Sequence, residues 1–333
     1  RGQVKTSYSD AVALATPSVV NIYTAKLVDS GRSQSLNDPL LRRFLGNSGR
    51  RQRVERSLGS GVILTPEGHI ITNNHVIADA DAIQVLLHDG RSAKATAIGS
   101  DPATDLAVLQ IQLPGLTPIT LANSDKAKVG DVVLAIGNPY GFGHSVSQGI
   151  ISGLSRYGLQ ASDYEDYIQT DASVLLGSSG GALIDASGKL LGINTLIYTA
   201  NGEGADDAAI GINLATPVNL AHFVMKDLVN YGTVVRGWLG VSVELLQTPE
   251  TIAQQQQVLV VSGLAEDGPA ARAGLRLGDV ISAINGNTVS DGRITMHQIA
   301  RFRPGEIVDI EVARGRQPEP VQLQAVVGTR PEG

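Results

Sequence analysis

From Gly59 onward the chain alternates short apolar, β-branched runs with tight polar turns. Ser60–Thr65 and His69–Thr72 flank Pro66-Glu67-Gly68. Proline at the second place and glycine at the fourth suit a type I turn. Ile83–Leu87 and Ser92–Ile98 flank Asp89-Gly90, a strong hairpin signal. Leu106–Ile111, Val132–Ile136, Val146–Leu154, Ala182–Ile184 and Leu190–Ile197 follow at short intervals. Strands this frequent, with glycine turns between them, predict closed barrels or a sandwich. Ahead of them, Val12 and Leu14 suggest a short helix that Pro17 breaks, with a strand from Val19. Residues 28–57 carry Gly, Ser, Asn and seven arginines (Arg32, Arg42, Arg43, Arg50, Arg51, Arg53, Arg56). That segment is expected to be a flexible surface loop, or else a patch facing anionic groups.

The pattern changes near residue 217. In Pro217–Tyr231, Ala221, Val224, Met225 and Leu228 recur at spacings of three and four, and Gly232 stands where a helix C-cap belongs. A second block follows, mixing strands (Leu239–Leu245, Val258–Ser262, Val280–Ile284, Val308–Ala313, Val321–Val326) with helices at Pro269–Ala273 and Arg293–Arg301. The expected organisation is a first domain over 1–232 (1–18 an N-terminal segment), a linker over 233–236 and a second domain over 237–330. A chain of 333 residues suits two domains at roughly 150 residues each.

Composition narrows the function. The net charge of -6 speaks against nucleic-acid binding, which usually needs a basic excess. With no cysteine, disulfides, thiol nucleophiles and cysteine zinc sites are excluded. No apolar run reaches the ~18 residues of a membrane-spanning helix. The chain starts at Arg1 rather than Met, so a processed form is expected, with a signal or anchor ahead of it.

Three segments carry candidate chemistry: Thr72-Asn73-Asn74-His75-Val76-Ile77, Asp101-Pro102-Ala103-Thr104-Asp105-Leu106-Ala107-Val108-Leu109 and Gly177-Ser178-Ser179-Gly180-Gly181-Ala182-Leu183. Their order, His then Asp then Ser in a β-rich region, is that of chymotrypsin-type double barrels. A serine hydroxyl is a weak nucleophile, so an imidazole must take its proton. A buried carboxylate sets the imidazole tautomer and stabilises its charged form. The expected catalytic residues are therefore His75, Asp105 and Ser179. Asp101 before Pro102 suits a turn, whereas Asp105 opens an apolar run and can reach a buried partner. The glycines let the backbone N–H groups of Gly177 and Ser179 converge where the carbonyl oxygen becomes negative. His69, His88, His144, His222 and His297 sit in no comparable context and are assigned to packing or surface. No metal and no cofactor are called for, since a triad needs neither.

On these residues, with Gly192-Ile193-Asn194-Thr195 downstream, the chain resembles the HtrA (Deg) serine proteases, and most the single-PDZ, DegS-like branch. The second block agrees. Arg236-Gly237-Trp238-Leu239-Gly240-Val241 resembles the loop that opens a PDZ domain, where the N–H groups of Leu239, Gly240 and Val241 form a nest for a peptide carboxylate. Gly268–Leu275 and Gly278-Asp279-Val280-Ile281 match as well. The fold class implied is mainly β: a chymotrypsin-like double β-barrel followed by one α+β PDZ domain. Ser173, six places before the nucleophile, is not acidic, so a pocket for Lys or Arg is not expected. The resemblance puts Val174 and Ile197 on the pocket wall and implies cleavage after small or medium aliphatic residues. It also implies coupling of Arg156 to Met296 and His297 of the PDZ domain, and a homotrimer joined near Tyr8. It further implies a periplasmic setting with an inner-membrane anchor, C-termini of misfolded outer-membrane proteins as activators, and a membrane-spanning anti-sigma factor as substrate. One segment departs from the family pattern. Val174-Leu175-Leu176-Gly177-Ser178 stands where Ile-Asn-Pro-Gly-Asn is common. Two alternatives follow: a weak or inactive chaperone or scaffold, and a broad quality-control protease.

Overall fold

The computed structural model describes residues 7–29, 52–138, 143–156, 164–175, 177–197, 213–246, 258–289, 295, 299–315 and 319–329. The chain divides into two compact units, Arg1–Thr233 and Val234–Gly333.

The first unit begins with α1 (Ser9–Ala15), which tightens into a 3-10 turn over Thr16–Ser18 where Pro17 removes a backbone donor. Seven antiparallel strands follow: β1 (Val19–Asp29), β2 (Gln52–Ile63), β3 (His69–Asn73), β4 (Ala82–Leu86), β5 (Ser92–Lys94), β6 (Thr96–Asp101) and β7 (Leu106–Gln110). Their order is β5-β4-β1-β2-β3-β7-β6. The two outer strands of that order are consecutive in the chain, parted only by Ala95. Adjacent Cα atoms stand ~3.8 Å apart, so the sheet must roll until its edges meet. Ala95 is buried there, its N–H bonded to the Ile83 carbonyl at 3.0 Å. Val20, Ile22, Ile63, Ile70, Val85 and Leu109 fill the interior.

The loop expected over 28–57 is shorter than the sequence suggested. Pairing of β1 with β2 runs without a break from Val19↔Val62 to Asp29↔Gln52. A two-stranded arm satisfies its backbone groups through the ladder whatever its side chains, so polar composition did not end the strands. Residues 30–51, with Arg42, Arg43, Arg50 and Arg51, lie outside the described residues.

The second half of this unit is a closed six-stranded barrel of β8 (Val132–Gly137), β9 (Ser145–Arg156), β10 (Tyr167–Thr170), β11 (Ala182–Asp185), β12 (Leu190–Ile197) and β13 (Asn213–Pro217). Val133, Ala135, Ile151, Ile168, Leu183 and Ala215 form its core. A short helix, α2 (Asn74–Ile77), follows β3, and α3 (Val218–Tyr231) follows β13. The apolar face of α3 lies on β6, β7 and β12. Ser124 Oγ accepts the Asn219 N–H at its start (3.1 Å), and Gly232 ends it at φ +73°. No helix among the described residues is long and apolar enough to cross a membrane.

The second unit holds β14 (Gly237–Trp238), β15 (Val241–Leu246), β16 (Val258–Leu264), α4 (Pro269–Arg272), β17 (Val280–Ile284), β18 (Asn287–Thr288), β19 (Ile307–Ala313), β20 (Val321–Val326) and β21 (Gly328–Thr329). The strand expected over Leu239–Leu245 is broken at Leu239-Gly240, because Gly240 turns the chain at φ +71°. Of the helix expected over Arg293–Arg301, only Thr295 and Ile299–Arg301 are described, and all four are helical. Arg303 Nη1 donates to the Val235 carbonyl at 3.0 Å, which ties the expected linker to the second unit.

Candidate active site

The first barrel supplies His75 and Asp105. Strand β3 delivers Asn73 and then turns into α2, which starts with Asn74 and His75. Asp105 sits between a 3-10 turn and β7 in a left-handed conformation, φ +54°. A non-glycine residue held there carries strain of order 1 kcal/mol. That geometry aims the carboxylate at His75. Asp105 Oδ1 accepts the His75 backbone N–H at 2.9 Å, and Oδ2 lies 2.6 Å from His75 Nδ1. The Asp105 carbonyl accepts from Asn74 N–H at 2.9 Å and from Asn73 Nδ2 at 3.0 Å. Asp101 is buried instead on its own turn, accepting from Thr104 Oγ1.

The second barrel supplies Ser179, in the turn ahead of β11. Gly177 at φ +94° and Gly180 at φ +83° shape this turn. A Cβ on Gly180 would strike the Ser60 carbonyl and Thr72 Oγ1, so only glycine fits. The Ser179 hydroxyl donates to the Thr195 carbonyl at 3.1 Å. Thr195 Oγ1 in turn accepts from Asn73 Nδ2 at 2.7 Å and stands 3.4 Å from Asp105 Oδ2. One hydrogen-bonded network therefore crosses from barrel to barrel: Asn73 and Asp105 on one side, Thr195 and Ser179 on the other. Asn73 and Thr195 are buried, whereas His75 is exposed and open to a substrate.

Gly177 and Ser178 are buried beside Ser179. Leu176, whose peptide carries the Gly177 N–H, lies outside the described residues. Val174 is buried among Ile151, Ile168 and Ala172 of the second core. Ile197 ends β12, but its side chain lies outside the described residues. Arg156 closes β9 and donates from Nε to Gln169 Oε1 at 2.7 Å. Met296 and His297 lie outside the described residues, as does their relation to Arg156. His69 bonds Thr65 Oγ1 at 2.9 Å, and His88 faces His144 at 3.4 Å between Nδ1 atoms. Burial, with His88 alongside, holds the His144 imidazole below its ordinary pKa. Among the described residues no group of three or more acidic or imidazole side chains could hold a metal.

In the second unit, the Leu239 carbonyl accepts from Ala270 N–H (2.9 Å) and the Gly240 carbonyl from Ala265 N–H (2.8 Å). A Cβ at Gly240 would press on the Trp238 ring and Ala265 at 3.0–3.1 Å. Val241 opens β15, which ends the strand order of its sheet. Among the described residues its outer edge is unpaired, a place where an incoming strand can add.

Sequence reasoning gave no role to Ser60, Asn73 or Thr195. The available signal was a polar residue beside apolar strand positions, Ser60 ahead of Val62 and Ile63 in β2, Asn73 at the end of β3 and Thr195 in β12.

A rolled sheet and a closed barrel with His, Asp and Ser at their junction, followed by a smaller strand-edge unit, define a trypsin-like serine endopeptidase carrying a PDZ domain. Residues 59–193 match the trypsin-like peptidase domain family, and residues 237–324 match the PDZ domain family. The serine endoprotease DegS of Escherichia coli K12 is 40% identical over 310 residues, covering 92% of this chain and 82% of DegS. A probable periplasmic DegP-like endoprotease of Brucella suis is 42% identical over 254 residues, 74% of this chain and 48% of its own. The solved HtrA-type protease AlgW with a decapeptide superposes at TM-score 0.75, with 48% identity, covering 98% of this chain and all (100%) of that one. The chain belongs to the HtrA family of serine endoproteases, with DegS among its relatives.

Proposed function

We propose that Ser179 is the nucleophile of this endopeptidase, that His75 takes and returns its proton, and that Asp105 orients His75. The observation that carries this is the doubly held imidazole. Asp105 binds both the backbone N–H and Nδ1 of His75, which leaves Nε2 as the acceptor a serine needs. The N–H groups of Gly177 and Ser179 receive the oxyanion. Val174 and Ile197 line the pocket, so cleavage follows small or medium aliphatic residues.

The Ser179 hydroxyl rests on the Thr195 carbonyl. Activation then consists of moving that hydroxyl onto His75 Nε2. A peptide drives the move only if it binds the active arrangement more tightly. The PDZ loop Leu239, Gly240 and Val241 takes the peptide carboxylate, and the β15 edge takes its backbone. The solved relatives that carry peptides support a peptide ligand. Arg156 couples to Met296 and His297; unchanged peptide activation in Arg156→Ala would remove that route. The finer reading is a periplasmic, anchored homotrimer that senses C-termini of misfolded outer-membrane proteins and cuts a membrane-spanning anti-sigma factor. The names of the DegS and DegP-like relatives favour that setting.

One assay tests the core of this. An unfolded substrate is incubated with the protein or with Ser179→Ala, with and without a peptide ending in a hydrophobic residue. Cleavage is expected from the unmodified protein, stimulated by peptide, and none from the variant. Equal cleavage by both would remove Ser179 as nucleophile, and cleavage indifferent to peptide would favour a broad quality-control protease.

A further inference from the structure

We infer that Ser60, a first-barrel residue, is the positioning residue for the oxyanion donor of the second barrel, an inference that rests on Ser179 being the nucleophile. Ser60 lies on β2 between Gly59 and Gly61 and is fully buried, at 0% exposure. It makes four hydrogen bonds. Its N–H donates to the Ser179 carbonyl at 2.8 Å and its hydroxyl to the Gly177 carbonyl at 2.8 Å. Its Oγ accepts the Asn138 N–H at 3.1 Å, and its carbonyl accepts from Thr72 Oγ1 at 2.7 Å.

The two carbonyls that Ser60 holds belong to alternate peptide planes. The Gly177 carbonyl fixes the plane between 177 and 178, and the Ser179 carbonyl fixes the plane between 179 and 180. The plane between them carries the Ser179 N–H. Its own carbonyl, on Ser178, is bonded to Gly181 N–H at 3.0 Å. In a trans peptide the N–H points opposite to the carbonyl, so the Ser179 N–H is turned away from the Gly181 N–H that holds the Ser178 carbonyl. Ser60 thus clamps the plane on each side of the donor and leaves it little freedom to rotate. The flanking glycines let β2 lie tightly against its own barrel, which fixes the backbone that carries Ser60. A Cβ on Gly59 would collide with Val76, and one on Gly61 would lie 2.7 Å from Ile70 Cγ2. The clamp reaches across 117 residues of sequence, between two barrels.

Removing the hydroxyl leaves the Gly177 carbonyl and Asn138 N–H buried without this partner, and frees the first of the two planes. A lost or misaimed oxyanion donor typically costs up to ~100- to 1000-fold in rate. Partial misalignment should cost ~10- to 100-fold.

The test compares the full chain with Ser60→Ala, Ser60→Thr and Ser60→Cys. The readouts are kcat and KM, affinity for a peptide aldehyde, affinity for the free-acid product of the same sequence, and the thermal midpoint. The aldehyde forms a tetrahedral adduct whose oxygen needs the oxyanion donors, whereas the product does not. Ser60→Ala is expected to lower kcat ~10- to 100-fold with KM within about threefold. Aldehyde affinity should fall in parallel, product affinity should hold, and Ser60→Thr should recover most of kcat. Wild-type kcat in folded Ser60→Ala would overturn the inference. So would an equal loss of aldehyde and product binding, the sign of a purely structural role. If Ser60→Ala does not fold, Ser60→Cys decides: its weak thiol donor should give intermediate kcat, and full kcat would overturn the proposal. An unmodified chain that neither cleaves nor forms an aldehyde adduct, with or without peptide, would instead count against Ser179 as nucleophile.

Discussion

Asp105 offers one oxygen to the backbone N–H of His75 and the other to Nδ1. Both partners need an acceptor. Asn at this position supplies only one, so its NH2 must face a nitrogen and the imidazole is driven to the wrong tautomer. Asp105→Asn is therefore expected to lower kcat ~10,000-fold while the protein stays folded, measured as peptide cleavage alongside thermal melts. His144 gives a pH signature of its own. Burial depresses its folded-state pKa, and the imidazole of His88 faces it. Between that value and the unfolded value of ~6.5, the unfolded chain binds more protons. Stability is fully present above about pH 6.5 and declines as pH falls through the window below it. His144→Gln should flatten the fall in thermal midpoint below about pH 6.5; an unchanged slope would dismiss His144 as its source. The three residues proposed to react were legible as neighbours-to-be because that chemistry demands few residue types in recognisable surroundings. His75, Asp105 and Ser179 each stand beside a glycine turn or an apolar strand. Ser60 and Asn73 were not legible, since their bonds to Gly177 and Thr195 span 117 and 122 residues. Nothing local to a serine between two glycines says which distant carbonyl it will meet.

At the scale of elements, α3 was readable from its three-and-four spacing and its terminal glycine. Its position across both halves of the unit was not. Leu228 of this helix is 1% exposed and packs where Gly99 of β6 leaves room, a Cβ there coming to 3.1 Å. Leu228→Ala should destabilise the first unit by about 2–5 kcal/mol, read from denaturant unfolding of a Ser179→Ala background; a cost under about 0.5 kcal/mol would show that the helix is dispensable to the barrels. Strands β10 and β13 escaped the sequence reading because four or five residues, buried on both faces, show no alternation. The arm of β1 and β2 escaped for the opposite reason: ladder pairing asks little of side chains. The break at Gly240 came from a positive φ that an apolar run conceals.

At the scale of the molecule, the two units are held by different chemistry. The second has its own charged anchor. Asp279, 2% exposed, accepts from Arg314 Nε and Nη2 at 2.8 and 2.7 Å and from Arg276 N–H at 2.8 Å. The Arg314 guanidinium holds the Asp279 carboxyl below its usual range. Its contribution is present above about pH 4 and is lost as pH falls through the lowered native value. Asp279→Asn should lower the midpoint of the second unit by roughly 5 °C at pH 7 in calorimetry. The gap should close below about pH 4, and a constant gap would contradict the assignment. The proposed active site of the first unit obeys a different logic, since its network is divided between two barrels. His75 and Asp105 lie in the half that is synthesised first, and Ser179 and Thr195 in the half that follows. With the roles proposed above, a chain emerging in that order carries an imidazole and a carboxylate with no nucleophile, and then the proposed nucleophile in a barrel still unclosed. Cutting power arrives only at the last docking step, so a nascent copy cannot digest its unfinished neighbours.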